Sequence, residues 1–383
     1  MINCFNVVSL LLAGSFLIGA GTPEAVPAAR RRTVEWESVP FTLLSPAGER
    51  EVTLSSFGGR REWANAEEDV LAFCRLNARE AVDAKLFFDG QAFTYVPEQK
   101  GVYCDYARSL KNALTAMEEG RAESEIITVE YEPKVTVKTL KARTKRLGAF
   151  TTYFDGANLP RVHNIALAAS RISGTEILPH AEFSFNAAVG KRTEKNGFEI
   201  ANVIQGGEFV PGVGGGVCQA STTLMNAALL SGLSITESRA HSLSVGYIRP
   251  SLDAMVSEYC DLKFVNPYEF PVYLSAVTGE NFVRFIVYGK PDGRRYEIES
   301  EVLRRIPPPP AEIREGEEEK VVRNEKEGIA SESYLLVYDS AGNLISRTLF
   351  RRDTYASVQG IYEIPPAVEE NTENGQEKNS EIR

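Results

Sequence analysis

Apolar and polar residues alternate over 41–54, as a strand with one buried face requires, and the pattern slows to helical spacing over 64–81. Residues 84–96 hold two apolar runs around Asp89-Gly90, the signature of a hairpin. Leu110, Ala113, Leu114 and Met117 place one apolar face on a helix over 105–119, which ends near Gly120 before an alternating strand at 126–131. The stretch 41–137 therefore reads as an α+β unit.

Farther along, the spacing predicts a helix over 162–172, an extended stretch over 182–186, a strand over 200–205, a glycine-rich loop, and a helix over 218–230 that stops at Gly232. β-rich passages follow at 235–248, 255–265 and 272–288, with turns at Asn266-Pro267 and Thr278-Gly279-Glu280-Asn281. Four prolines at 307–310 form a stiff spacer, and the acid-rich run 312–327 reads as solvated. A hairpin over 334–350 turns at Ser340-Ala341-Gly342-Asn343, and 369–383 has the polarity of a disordered tail.

With 383 residues, 43% hydrophobic and 25% charged, the chain has the make-up of a globular protein with room for two or three domains. A net charge of −10 argues against a nucleic-acid partner, because counterion release needs a basic face. One local exception is basic: Lys134, Lys138, Lys141, Arg143, Lys145 and Arg146 occur with no acid among them and would attract an anionic wall polymer. The apolar run Val7 to Ala20 is short for a bilayer span and is followed by small residues, so a signal peptide or N-terminal anchor is expected, and with it a secreted or envelope location.

Past that leader four cysteines remain, Cys74, Cys104, Cys218 and Cys260, which allow two disulfides in three connectivities. Cys74 and Cys104 share the N-terminal region and are expected close enough to bridge. A Cys218–Cys260 bridge would remove any nucleophile.

The chemistry gathers at Cys218, where Gly214, Gly215 and Gly216 lead into a helix. A thiol at a helix start feels unpaired N–H groups and the positive end of the dipole, which favour thiolate. Glycines let successive N–H groups cup an oxyanion. His241 is expected on the strand after the cysteine helix, as base, and Asp253 on the next strand, as its orienter, with Asp261 as the alternative. That order is the one found in papain- and transglutaminase-like acyl-transfer sites. Gln219, Ser221, Thr222 and His163 join the three glycines as candidate binding residues, while His180 reads as a surface loop residue. No ligand pair has zinc spacing, so neither metal nor cofactor is expected, and there is no phosphate-binding glycine motif with lysine and no serine elbow.

Phe150-Thr151-Thr152-Tyr153-Phe154, Arg161-Val162-His163-Asn164-Ile165, Phe183-Ser184-Phe185-Asn186, Gly214-Gly215-Gly216-Val217-Cys218-Gln219-Ala220-Ser221-Thr222-Thr223-Leu224, His241-Ser242-Leu243, Asp253-Ala254 and Asp261-Leu262-Lys263-Phe264 together resemble the VanW-like family. That family takes its name from an accessory protein of B-type vancomycin resistance clusters. Cys260 and His180 depart from its usual pattern. Ala84-Lys85-Leu86-Phe87-Phe88 and Glu132-Pro133-Lys134-Val135-Thr136 resemble the peptidoglycan-binding domain that commonly stands before VanW segments, and the β unit after Pro310 is weakly similar to G-five surface domains.

The resemblance implies a multi-domain α+β protein: a leader at 1–28, a wall-binding-like unit at 38–140, a VanW core at 147–290, a small β domain at 300–366 and a tail at 367–383. It implies an exported envelope protein associated with peptidoglycan, whose core acts on or binds stem peptides; the alternative is a cysteine acyl-transfer enzyme, a peptidase or transpeptidase, on the same peptides.

Overall fold

The computed structural model describes residues 35–205 and 208–365. The expected leader and tail and Gly206-Gly207 lie outside the described residues. The fold is α+β with strands predominating, and it divides into two compact units.

The first unit comprises residues up to Ala78 together with Val102–Val129. The expected single strand over 41–54 is a hairpin, Glu37–Ser45 paired antiparallel with Gly48–Phe57. Its turn is dictated locally: Ser45 Oγ accepts from the Ala47 N–H and donates to the Gly48 carbonyl, a serine turn that a run-length reading passes over. Period-2 alternation sends Phe41, Leu43, Val52 and Leu54 into a core completed by the helices Ala66–Asn77 and Tyr106–Glu118. Asp105 caps the second helix by accepting from the Arg108 N–H at 3.1 Å. Cys74 and Cys104 form a disulfide with Cα atoms 5.3 Å apart, and closing a loop of that length contributes roughly 3–4 kcal/mol on the chain-entropy account.

The second unit holds Arg79–Gly101 and Glu130 onward, so the hairpin Lys85–Phe88/Phe93–Val96 belongs with the central segment rather than with the helices that flank it in sequence. The reason is aromatic: Phe88 and Phe93 stack at 4.3 Å and turn their edges to Tyr273 and Tyr288. The Gly90 carbonyl accepts from Ser173 and Ser275, and a Cβ at this left-handed glycine (φ +98°) would lie 2.7 Å from Ser173 Oγ.

The centre of this unit is an antiparallel sheet in the order Glu176–Ile177, Val272–Thr278, Phe282–Gly289, Lys145–Tyr153. Against it lie the helices Leu159–Ile172 and Val217–Leu229. The second, the cysteine helix, is buried on every side except at Cys218, as expected of a helix wrapped completely by its own domain. Leu224, Met225, Ala227 and Ala228 meet Phe264, Leu274, Phe285 and their neighbours in one continuous core.

Several stretches differ from the sequence reading. Residues 182–186 split into a strand, Glu182–Ser184, and a short helix, Phe185–Val189, because Ser184 caps it by accepting from the Ala187 N–H. Residues 208–213 are not loop but the second arm of a hairpin with Ile200–Gln205. The strands expected over 235–248 and 255–265 shrink to Ser234–Glu237 and Lys263–Val265, with a long irregular segment between. Polar side chains of the buried helix take up that segment's backbone groups, which removes the need for a ladder. Thr222 accepts from the Ala254 N–H, Ser221 donates to the Ala254 carbonyl and Asn226 to that of Leu252.

Beyond Gly289 a sheet of Arg295–Ile306, Gly328–Tyr338 and Leu344–Tyr355 continues in the same compact unit. The run expected to be solvated at 312–327 forms two short strands, Glu312–Glu315 and Lys320–Arg323, on either side of Ile361–Ile364. All six basic residues of 134–146 are exposed, on and around a short helix, Val137–Ala142.

Candidate active site

The turn before the cysteine helix has no space for side chains. Gly214 and Gly216 have φ of +87° and +104°, the left-handed region, and a Cβ on Gly215 would lie 2.6 Å from backbone atoms of Ala201 and Asn202. Buried Asn164 holds the turn down: its amide donates to the carbonyls of Glu199 and Gly215 and accepts from the Glu199 N–H. Gly216 is the N-cap, so Cys218 is the second residue of the helix. The N–H groups of Gly214, Val217 and Gln219 are committed to carbonyls, whereas those of Gly215, Gly216 and Cys218 have no acceptor among the described residues.

His241 and Asp253 both lie in the irregular segment, not on strands as the sequence suggested. The carboxylate joins them: Asp253 Oδ2 accepts from the His241 backbone N–H at 2.7 Å and from the ring at Nδ1 at 2.6 Å. A carboxylate is an acceptor only, so the proton sits on Nδ1 and Nε2 is left unprotonated, with ring and thiol both on the wall of one cavity, where the Cys218 thiol donates to the Val256 carbonyl at 3.5 Å. The other oxygen, Oδ1, accepts from the Tyr355 hydroxyl at 2.5 Å and from Arg351 at 3.3 Å, and Arg351 also donates to the Asp253 carbonyl at 2.7 Å. Tyr355 itself accepts from the Ser251 N–H.

The titration behaviour follows from these contacts. Burial pushes the Cys218 thiol up, but the hydrogen bond and charge of His241, with help from the Val256 backbone and Arg192, bring it below its ordinary 9.0. Burial alone would lower His241; bonding to Asp253 and to Cys218 overrides it and raises the ring to about 9. Burial would likewise raise Asp253, yet His241 and Tyr355 hold it below its ordinary 3.8. The arrangement favours thiolate and imidazolium together.

Cys218 and His241 border a cavity of about 370 Å³, whose lining includes Gly214, Gly215, Gly216, Gln219, Tyr247, Met255 and Val256. Arg161, Arg192 and Lys326 line it as well. Of the candidate binding residues, Gln219 reaches the cavity but is engaged, accepting from Arg161 at 2.7 Å and donating to Thr152 and the Tyr153 carbonyl. Ser221 and Thr222 do not line it; they are wholly buried and serve the Ala254 backbone. His163 lies outside it, exposed, paired with the Gly197 carbonyl.

Asp261, the alternative orienter, is occupied elsewhere, accepting from Ser184 and from the N–H groups of Asn186 and Leu262 at the start of the short helix. His180 pairs with exposed Glu269. Cys218 and Cys260 are both free thiols, which removes the bridge that would have disabled Cys218.

Sequence reasoning missed Arg161, Arg192, Tyr247, Lys326, Arg351 and Tyr355 as site residues. Arg351 and Tyr355 stand at even spacing on one strand and so share a face, but nothing local to that strand points to an aspartate 98 and 102 residues away.

The family model described as VanW like protein matches residues 160–288. The chain is also 35% identical over 239 residues to the protein YoaR of Bacillus subtilis (strain 168), an alignment covering 61% of this chain and 76% of that protein. No solved structure matches the chain. Of the stretches that carry the family resemblance, those from Arg161 through the glycine-cysteine turn to His241, Asp253 and Asp261 fall within the matched span and Phe150–Phe154 precedes it, and the chain belongs to the VanW-like family.

Proposed function

We propose that the protein is a cysteine acyl-transfer enzyme, a peptidase or transpeptidase, that works in the cell envelope on peptides of the wall. The observation that carries this reading is a helix-start thiol, Cys218, on the wall of the same cavity as the imidazole of His241, whose Nδ1 is held by the buried carboxylate of Asp253 at 2.6 Å. A structural cysteine has no need of a base, and a buried ion pair has no structural advantage over an apolar contact of the same size.

The chemistry runs in two halves. The Cys218 thiolate attacks the carbonyl carbon of the scissile amide, and the carbonyl electrons move onto oxygen, where the uncommitted N–H groups of Gly216 and Cys218 are suited to receive the charge. On collapse the carbon–nitrogen bond breaks, the leaving amine takes the proton of the His241 imidazolium, and a thioester remains. Water or a second amine then gives its proton to His241 while attacking the thioester carbon; the carbon–sulfur bond breaks, the acid or new amide leaves, and the Cys218 thiolate and His241 imidazolium are restored. Asp253 stays ionised throughout and holds Nδ1–H.

Location is supported by the apolar run at 7–20 and by the Cys74–Cys104 disulfide, a bond that persists in oxidising compartments. An association with peptidoglycan is supported by the sequence likeness of the stretch before the VanW segment. The exposed basic set at 134–146 suits an anionic wall polymer.

The test is iodoacetamide alkylation of the purified full chain across pH 4–10, followed by incubation with wall stem peptides and mass spectrometry. Expected are a Cys218 alkylation profile well below that of a free thiol, a return toward the ordinary value in His241→Ala, and peptide cleavage or exchange lost in Cys218→Ala. An ordinary thiol profile in the parent would reject the nucleophile and leave a peptide-binding module.

A further inference from the structure

Three cationic side chains, Arg161, Arg192 and Lys326, line the cavity beside Cys218, and among the described residues no aspartate or glutamate does. Each is hydrogen-bonded to a neutral oxygen rather than to a carboxylate: Arg161 to the Gln219 amide at 2.7 Å, Arg192 to that of Asn186 at 2.9 Å, and Lys326 to the Ser244 carbonyl at 2.5 Å. The site's other charges are engaged among themselves: Asp253 with His241 at 2.6 Å and with Arg351 at 3.3 Å, and Arg351 also with Asp353 at 2.7 Å. Asp261 and Glu258 act on Arg192 electrostatically, but neither lines the cavity, and Asp261 is held by Ser184, Asn186 and Leu262. Burial disfavours the charged form of all three cations. A pocket that gathers three cations around one thiolate, with no carboxylate among its described lining residues, is organised for a further anion brought by its ligand.

We propose that the substrate of this site carries a carboxylate close to the carbonyl that Cys218 attacks, bound by Arg161, Arg192 and Lys326. The proposal rests on the acyl-transfer reading and deepens it. It also assigns a role to the C-terminal passage, since Lys326 comes from the segment just before the Gly328–Tyr338 strand and reaches a cavity formed otherwise by residues 161–257. A guanidinium fork fits the planar carboxylate in two-point contact, and a lysine ammonium adds a point charge.

The pair of reagents iodoacetate and iodoacetamide tests this on the full chain without knowledge of the natural substrate. In both, the Cys218 thiolate displaces iodide from a CH₂ carbon, forming an S–C bond; they differ in carrying a carboxylate or an amide beside that carbon. The rate ratio of iodoacetate to iodoacetamide, normalised to glutathione, is expected to exceed one by about fivefold or more at low ionic strength and to fall as salt is added. His241 contributes to that preference in every variant, so the comparison between variants is decisive. Lys326→Gln and Arg192→Gln should each lower the ratio severalfold, and Lys326→Arg should retain it, with melting curves showing which variants fold.

An unchanged ratio in folded Lys326→Gln and Arg192→Gln would overturn the proposal, while a depressed thiol profile with iodoacetamide would leave the acyl-transfer reading standing. Succinate and inorganic phosphate, added as competitors, separate the two sources of negative charge. Slower alkylation with succinate supports a carboxylate; protection by phosphate alone overturns it in favour of a phosphate-bearing ligand.

Discussion

Asp253 determines the character of the site because its carboxylate accepts four side-chain or backbone donors: the His241 N–H, the His241 ring, Tyr355 and Arg351. Replacing it with asparagine keeps the shape but offers an amide that can donate, which favours the wrong imidazole tautomer; turnover is expected to fall by about 10³-fold or more with little change in KM. Tyr355→Phe is milder, removing one donor from an ion that keeps the others, and roughly a tenfold loss of kcat is expected. Its sharper readout is acid stability. Asp253 is depressed below 3.8 in the folded protein, so its contribution is present above that unfolded value and is lost as pH falls through the lower folded one. Without the Tyr355 hydroxyl the folded value rises, the contribution shrinks, and the acid-unfolding midpoint should move to higher pH. A tyrosine that merely filled space would leave that midpoint where it is.

The cysteine helix presents Ser221, Thr222 and Asn226 to an irregular segment that has no sheet partner there, and these side chains satisfy backbone groups a ladder would otherwise take. Position 222 is the informative one. Thr222→Val preserves volume and orphans the buried Ala254 N–H, one residue from Asp253, so denaturant unfolding should show a loss of about 1–3 kcal/mol. A second effect should accompany it, since loosening Ala254 frees the carboxylate that holds His241; the alkylation profile of Cys218 is expected to shift toward that of an ordinary thiol. At the turn before this helix Gly215→Ala has no such graded outcome, because its Cβ would meet backbone rather than a movable side chain, and failure to fold is expected.

Across the whole molecule, what the sequence revealed was local and what it concealed was distant. The glycines, Cys218, His241 and Asp253 lie within forty residues, and their order and spacing were enough to suggest a nucleophile, a base and an orienter. That His241 and Asp253 stand in coil was hidden, because β-rich composition over 235–265 reads the same whether the backbone pairs with a strand or with helix side chains. Arg351, Tyr355 and Lys326 were invisible for another reason: a strand's own pattern says which face is buried but not what it covers. How the last sheet is tied to the central segment was hidden on the same ground. The Ser251 hydroxyl donates to the Ser331 carbonyl and the Ser251 carbonyl accepts from the Ser333 hydroxyl, Ser300 donates to the Pro250 carbonyl, and the Ala356 N–H donates to the Ser242 carbonyl. These bonds tie the stretch between His241 and Asp253 to the last sheet at both of its ends. A chain ended at residue 290 would keep every residue of the matched family span and still lose Tyr355 and Arg351 from Asp253, leaving a buried carboxylate with two fewer donors and the Ser251 N–H without its acceptor. Such a chain is expected to show rapid proteolysis between Ser238 and Cys260 and an iodoacetamide profile near that of a free thiol. Retention of both protection and a depressed profile would mean that the last sheet only covers the site and that the buried helix alone holds His241 and Asp253 in place.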